Sequence, residues 1–249
     1  ITDPPYNITN CKWDKKIDLQ SFWNLADSKT IKTANIVLFS AEPFTADLIV
    51  SKREWFRYDL IWEKSIAMRF LDCNSKPLKA HENILVFYKD NCSPKNKQNK
   101  TTYNPQKVPC KKRIRVQYEY NTEVYNFCKK PSIAVTDSHF PRSVISVDED
   151  NYRFNSAKKE LHKHPTRKPE KLLEWLVNTY SNENDIILAP FMGSGTTGVA
   201  CVKNNRYFIG IEKEIKYFEM SCERIEKAYN EIGNMLPELR PSQLLPQLN

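Results

Sequence analysis

The chain predicts an α/β fold, a mostly parallel sheet with helices on both faces, and three observations carry that expectation. Short apolar runs of strand length alternate with stretches of helical period. Near the C-terminal end, a strand, a glycine turn, a helix and a second strand ending in an acid follow one another directly. All five glycines of the 249 residues fall between Gly193 and Gly233, three of them within Gly193–Gly198. A chain so sparing with glycine needs those three for geometry.

Taken in order, the chain opens ITDPPYN. Pro4 and Pro5 supply no amide donors, so the backbone leaves regular structure there, and Asp3 before them is pushed toward extended geometry. The result is a stiff corner with a carboxylate on one side and the Tyr6 ring on the other. By itself this also fits an ordinary turn with a Pro-Tyr contact. ANIVLFS (34–40) is too brief an apolar run for a helix and reads as a buried strand. PFTADLIVSKREW (43–55) reads as a helix, and RYDLIWEK (57–64) and HENILVFYKD (81–90) as strands.

Residues 91–160 break the rhythm with Lys, Asn, Pro and Tyr in place of aliphatics, leaving a local strand at RIRVQYEY (113–120). They read as a polar insertion between a first half (1–90) and a second (161–235). In KPEKLLEWLVNTYS, Leu172, Leu173, Leu176, Val177 and Tyr180 share one helical face, and Pro169 suits the first turn. IILAPF (186–191) is a strand, TTGVACVK a short helix and YFIGIE (207–212) the next strand. A long helix is expected from Ile215, with Phe218, Cys222, Ile225, Tyr229 and Ile232 on one face and Gly233 as its cap. The tail 236–249, with Pro237, Pro241 and Pro246, reads as a surface strap or disordered.

The formal charge is +8, and it is concentrated. Between Asn91 and Lys168, 12 Lys and 5 Arg stand against 7 acidic residues, a balance of +10 that leaves −2 for the rest. A polyanion is the expected partner. Lys111, Lys112, Arg113 and Arg115 with Tyr118 and Tyr120 combine phosphate-binding charge with aromatic faces, although a single such residue also fits a solvated surface. The seven cysteines form no CxxC pair, so neither a zinc site nor a disulfide framework is expected, and a reducing cytoplasm fits best. His81-Glu82 lacks the second histidine of HExxH, and His164 reads equally as a core or helix-entry residue. No apolar run approaches the roughly 18 residues of a membrane span.

Gly193-Ser194-Gly195-Thr196-Thr197-Gly198 satisfies GxGxxG in a strand-turn-helix setting, where free amides can meet a nucleotide. Glu212 ends the following strand, placed for ribose hydroxyls. This pattern leaves NAD and another adenosine cofactor both open.

DPPY (3–6), HPTRKPEKLLEWLV (164–177), APFMGSGTTGVA (189–200) and FIGIE (208–212), in that order, resemble the amino-methyltransferases of DNA in their permuted β-class arrangement. The resemblance covers most of the chain outside 91–160. It implies a Rossmann-like class I methyltransferase sheet with an inserted target-recognition region, and S-adenosyl-L-methionine as methyl donor. The acceptor would be the N6 amine of adenine in double-stranded DNA, with the base flipped out of the duplex. DPPY favours adenine, whereas SPPY is more usual for cytosine-N4. The Asp3 carboxylate and the Pro4 carbonyl would draw the amine hydrogens out of plane while Tyr6 stacks on the base, and Pro5 would hold the corner.

The resemblance also places Phe191, Gly193, Ser194, Gly195 and Thr196 at the cofactor pocket, Glu212 at the ribose, and Thr166 and Lys168 near the amino-acid end. It further implies a bacterial or phage origin, a possible homodimer and a possible partner restriction enzyme. Arg167 replaces the family's usual Gln. Ala189 stands where the family normally has Asp, a carboxylate near the cofactor's ammonium group; losing that bond costs on the order of 1.5–3 kcal/mol. Ile1 lies inside the strand expected before DPPY, so upstream residues are expected. Three further readings follow: a cytosine-N4 DNA methyltransferase using the same chemistry, a DNA-binding form with impaired cofactor affinity, and an NAD-dependent oxidoreductase. The last leaves DPPY and the basic insertion unexplained.

Overall fold

The computed structural model describes residues 1–9, 11, 13–68, 70–117, 132–147 and 167–235. These form two compact units, one of residues 1–104 and 143 onward, the other Pro105–Arg142.

The larger unit is organised by strands β1 (Ile36–Ser40), β2 (Phe56–Met68) and β3 (Lys79–Phe87). Every residue of β1 is buried, as its continuous apolar run requires. Alternation along β1 and β3 then sends side chains to two separate cores. Val37, Phe39, Ile84 and Val86 meet Leu172, Leu173, Leu176 and Val177 of helix α3 (Glu170–Tyr180), and Ala200 and Cys201 of α4 (Thr196–Lys203). Ile36, Leu38, Leu85 and Phe87 meet Trp23 of α1 (Leu19–Lys29), Phe44 and Leu48 of α2 (Phe44–Ser51), and Trp55. Helices therefore cover both faces. Each fully buried large side chain contributes about 1.5–3 kcal/mol.

The sheet runs β1-β3-β2-β6, where β6 is Val144–Ser146 and pairs parallel to β2. The expectation of a mostly parallel sheet fails at β3, which is antiparallel to both neighbours. The connection from β2 to β3 contains only a 3₁₀ turn at Phe70–Asp72, and a chain that returns without a crossover helix must return antiparallel. Beyond α3, β7 (Ile186–Ala189) and β8 (Tyr207–Gly210) pair in parallel.

Thr2 links these strand groups. Its amide donates to Val37 O (3.0 Å), its carbonyl accepts from Phe39 N (3.1 Å), and its Oγ1 accepts from Phe191 N (3.2 Å). Helix α5 (Ile215–Met235) closes over α4, with Ile225, Ala228, Tyr229 and Ile232 against Val199 and Val202.

Several element boundaries depart from expectation, among them the strand expected over 207–212, which ends at Gly210 and leaves Glu212 two residues beyond it. Helix α1 was not anticipated, although Asp18 caps it by accepting from Gln20 N (3.1 Å). The helix expected over 43–55 stops at Ser51, because a turn after it delivers Trp55 to the second core. Gly233 lies inside α5 rather than capping it, with nothing within 4 Å of its Cβ position, so no packing holds it to a cap.

The second unit contains the antiparallel pair β4 (Val108–Gln117) and β5 (Ser132–His139), with a register shift between Pro109 and Arg113. It lies within the insertion expected over 91–160. Residues before Pro105 belong to the larger unit: Asn104 N donates to Thr179 O (2.8 Å), and the Asn104 side chain to Asn178 O and Ser181 O. Of the expected strand 113–120, residues 113–117 belong to β4, which begins at Val108; residues 118–120 and the tail 236–249 lie outside the described residues.

Candidate functional site

The corner after Thr2 carries a buried charge network. Asp3 Oδ1 accepts from the Tyr6 hydroxyl (2.6 Å) and Oδ2 from Lys168 Nζ (2.6 Å). Lys168 also stands 3.1 Å from Glu82 Oε2, and Lys64 pairs with the other Glu82 oxygen. Two carboxylates thus alternate with two ammonium groups. Burial pushes the Asp3 carboxyl above its ordinary value; the Lys168 charge opposes that and the Glu82 charge adds to it. Lys168 is raised despite its burial, because both carboxylates favour its charged form. Burial also acts to raise Glu82, but Lys168 and Lys64 outweigh it and hold the carboxyl low. Tyr6 is pushed well up by burial and by the Asp3 charge, so its phenol remains a donor.

Asp14 shapes the loop that follows. Its carboxylate accepts the backbone amides of Asn7 (2.6 Å), Ile8 (3.0 Å) and Thr9 (2.7 Å) and the Thr9 hydroxyl (2.7 Å). Asn7 takes φ 57° to begin this convergence. Burial opposes the Asp14 charge, yet those four donors hold its carboxyl below the usual range. The ring of Tyr6 stacks on Phe44 at 5.6 Å between centroids.

Across from the corner lies the glycine turn, and it is made of backbone. Gly193 and Gly195 both adopt positive φ, 56° and 72°. Glu212 Oε2 accepts Gly193 N (2.8 Å) and Oε1 accepts Glu214 N (2.9 Å), so the carboxylate is fixed at the turn. Arg224 ties the same turn to its surroundings through Ser194 O, Thr196 Oγ1 (3.2 Å) and Glu170 Oε1 (2.9 Å). Glu170 also receives Arg167 (2.5 Å) and Lys203 (3.0 Å).

Corner and turn open into one cavity of about 360 Å³. Asp3, Pro5, Phe39 and Lys168 line one side; Phe191, Gly193, Ser194, Thr196 and Glu212 line the other; Trp13, Lys15, Lys16 and Ile17 complete the wall. That volume lies at the small end of ordinary ligand sites. It combines a fixed carboxylate with the Phe191 ring, which stacks on Phe22 at 6.3 Å.

Lys168 lines the cavity while its ammonium group ion-pairs with the DPPY carboxylate. The other expected residues fall elsewhere. Gly195 is absent from the cavity lining; a Cβ there would lie 2.7 Å from Ser221 Cβ, so its bareness serves the approach of α5. Ala189 is buried at the end of β7, also outside the lining, and Pro4 is buried beside Asp3. Lys111 and Lys112 are exposed on β4, and Arg113 and Arg115 occupy positions on that strand opposite Thr136 and Ala134. Thr166, His164, Tyr118 and Tyr120 lie outside the described residues. Among the described residues, no group of three or more His, Cys, Asp or Glu could hold a metal, and no helix is long and apolar enough to cross a membrane.

Sequence reasoning missed Glu82, Lys64 and Asp14. Glu82 drew notice only beside His81 as a failed metal motif, and the pattern of β3 offers no sign that it faces Lys168.

A family described as DNA methylase matches residues 1–223. The type II methyltransferase M.HpaI of Haemophilus parainfluenzae is 28% identical over 240 residues, covering 92% of this chain and 68% of that protein. The DNA adenine methyltransferase YhdJ of Escherichia coli K12 is 37% identical over 101 residues, 36% of this chain and 34% of that one. Among solved structures, the M1.HpyAVI–SAM complex superimposes with a TM-score of 0.56 at 24% identity, covering 90% of this chain and 86% of that chain.

Proposed function

This chain belongs to the DNA methylase family, and from that membership we propose that it transfers the methyl group of S-adenosylmethionine to the N6 amine of adenine in DNA. The observation that carries the reading is the single cavity lined both by Asp3 of DPPY and by Glu212 beside the glycine turn. The donor set suits an adenosine cofactor: Glu212 offers fixed acceptors for ribose hydroxyls, and Phe191 offers an apolar face.

When bound, S-adenosylmethionine supplies an activated sulfonium methyl group. The chain's own residues then prepare the acceptor. An exocyclic amine is a poor nucleophile because its lone pair is delocalised into the ring. Asp3 and the Pro4 carbonyl accept its two hydrogens and turn the lone pair toward the methyl carbon. For this the amine replaces Lys168 at Asp3 Oδ2, and Lys168 keeps a partner in Glu82, 3.1 Å away. Tyr6 presents its ring to the base. Positioning and charge stabilisation therefore carry the catalysis, more than proton transfer.

Residues 91–160 serve as the target-recognition region between the two catalytic halves, 1–90 and 161–235. Lys111, Lys112, Arg113, Arg115 and Tyr118 contact the DNA there. The target base leaves the duplex to reach Asp3. The working setting is a bacterial or phage-infected cytoplasm, with a homodimer as one working form. Phe191, Gly193, Ser194, Thr196 and Glu212 contact the cofactor, Gly195 shapes the turn that presents them, and Thr166 and Lys168 stand near the amino-acid end. Ala189 favours a second reading, in which the lost carboxylate leaves a DNA-binding protein of weak cofactor affinity.

The test uses undermethylated plasmid DNA and saturating S-adenosylmethionine, followed by digestion to nucleosides and mass spectrometry. N6-methyladenine is expected. N4-methylcytosine would keep the mechanism and change the base. Activity appearing only in Ala189→Asp would select the second reading, and silence of both proteins would overturn the assignment.

A further inference from the structure

The β2–β3 hairpin rises directly from the charge network and ends in an apolar tip. Lys64 and Glu82 sit on its two strands, with Trp62 opposite Glu82 in the pairing. After a register shift past Glu63 the pairing resumes at Met68–Lys79, three residues along β3 from Glu82 and so about 10 Å at ~3.3 Å per residue. At the end stand Phe70, 72% exposed, and Leu71, 84% exposed, with Ile66, Met68 and Leu78 exposed behind them. Five large apolar side chains within 13 residues of sequence make this a patch rather than scatter.

The tip is also built to hold its shape. Cys73 N donates to Phe70 O (3.2 Å), Ser75 N and Lys76 N donate to Asp72 O (2.9 and 3.1 Å), and Lys76 Nζ pairs with Asp72 at 2.9 Å. A hydrophobic core does not need this tip, since neither Phe70 nor Leu71 packs against either core.

We infer that Phe70 and Leu71 form a wedge that enters the DNA duplex beside the target and fills the stack vacated when the base turns toward Asp3. This rests on the methyltransferase reading above. Three features favour DNA as the occupant. The hairpin is continuous with the corner that would receive the base, so the tip and the reacting amine are held by the same two strands. Lys76 and Lys79 follow the apolar residues on the returning arm, where a second cation beside the Asp72-paired Lys76 suits a neighbouring phosphate. Apolar side chains inserted between base steps offset the few kcal/mol that unstacking costs.

The experiment compares the wild type with Phe70→Ala/Leu71→Ala and with Phe70→Trp on undermethylated plasmid, and on the same DNA after heat denaturation. A wedge is needed only where a stack must be opened. The double variant should therefore lose at least tenfold in rate on duplex DNA and less than threefold on single strands, while Phe70→Trp stays within threefold on both. An equal loss on both DNAs would overturn the wedge and leave a structural role. Binding is read in parallel on duplex DNA carrying randomly incorporated 2-aminopurine. Its fluorescence should rise with the wild type and stay flat with the double variant; a rise with both would also overturn the inference. This readout serves even if denatured DNA proves no substrate. A change in oligomeric state of the double variant with an unchanged 2-aminopurine response would identify a second copy of the chain as the occupant instead. If the wild type methylates neither DNA and gives no 2-aminopurine rise, the methyltransferase reading fails, which is a distinct result.

Discussion

At the Asp3 corner, Tyr6, Lys168, Glu82 and Lys64 reach one another from four separate segments, and every contact is between side chains. Across the cavity the glycine turn works through backbone amides, positive φ and the absence of a Cβ, with Glu212 held by the amides of Gly193, 19 positions back, and Glu214, two positions on. The first wall is a balance of charges that a single substitution can tip. The second is a shape that a single added carbon can spoil. Substitutions at the corner should therefore change rates, and substitutions at the turn should change folding and affinity.

The largest effect expected is at the corner itself. Asp3→Asn removes the charged acceptor and should lower kcat on plasmid DNA by on the order of 10²–10³-fold, with S-adenosylmethionine affinity by calorimetry within about twofold of wild type, an allowance for a residue that lines but does not anchor the cofactor. A comparable loss of cofactor affinity would erase the distinction between the walls. At the turn, Gly195→Val meets both the φ of 72° and Ser221 at 2.7 Å. A cost of about 2–4 kcal/mol follows, readable as a melting temperature lower by roughly 4–16 °C.

Ala189→Asp should tighten S-adenosylmethionine by roughly ten- to a hundredfold if its carboxylate reaches the ammonium group. A falling melting temperature without tighter binding would mean the new charge is simply buried. Glu82→Gln tests the balance through pH. The Glu82 charge is one of the causes that raise Asp3, and Asp3 must be ionised to accept. Activity is lost as pH falls through the raised Asp3 value, so removing Glu82 should move the acid limb of kcat/KM to lower pH. Glu82 itself is depressed in the folded protein, so its contribution to stability is present above its ordinary 4.5 and fades as pH falls through the lowered value. The variant's stability deficit should therefore be seen at neutral pH and close in acid. The smallest effect is expected at Lys203→Met, where a half-exposed ion pair with Glu170 is removed. Chemical denaturation should register less than about 1 kcal/mol.

The two walls also differ in how far the sequence displayed them. The glycine turn, Glu212 and the strands around them are local, all between Ile186 and Glu212, where period and spacing are readable. The corner was visible as DPPY, but its partners were not. Lys168 meets Asp3 across 165 positions, and no pattern within β3 marks Glu82 as facing inward. Antiparallel pairing at β3 escaped notice because strand composition carries no direction. Helix α1 was a different omission, since Asp18 before Leu19, Phe22, Trp23 and Ala26 displays both a cap and an apolar stripe. Gly233 misled in the opposite way, as a glycine near a helix end that caps nothing.

Thr2, which bonds to Phe191 across 189 positions, has a consequence for biosynthesis. The corner leaves the ribosome before the strand that completes it. At 5–20 residues per second the nascent chain waits about 10–40 s between them. During that interval the Thr2 segment has no β7 beside it, and Asp3 waits for Lys168. The cavity is therefore finished only after Glu212 has been made, and the slowest folding step should be the late arrival of β7 beside Thr2.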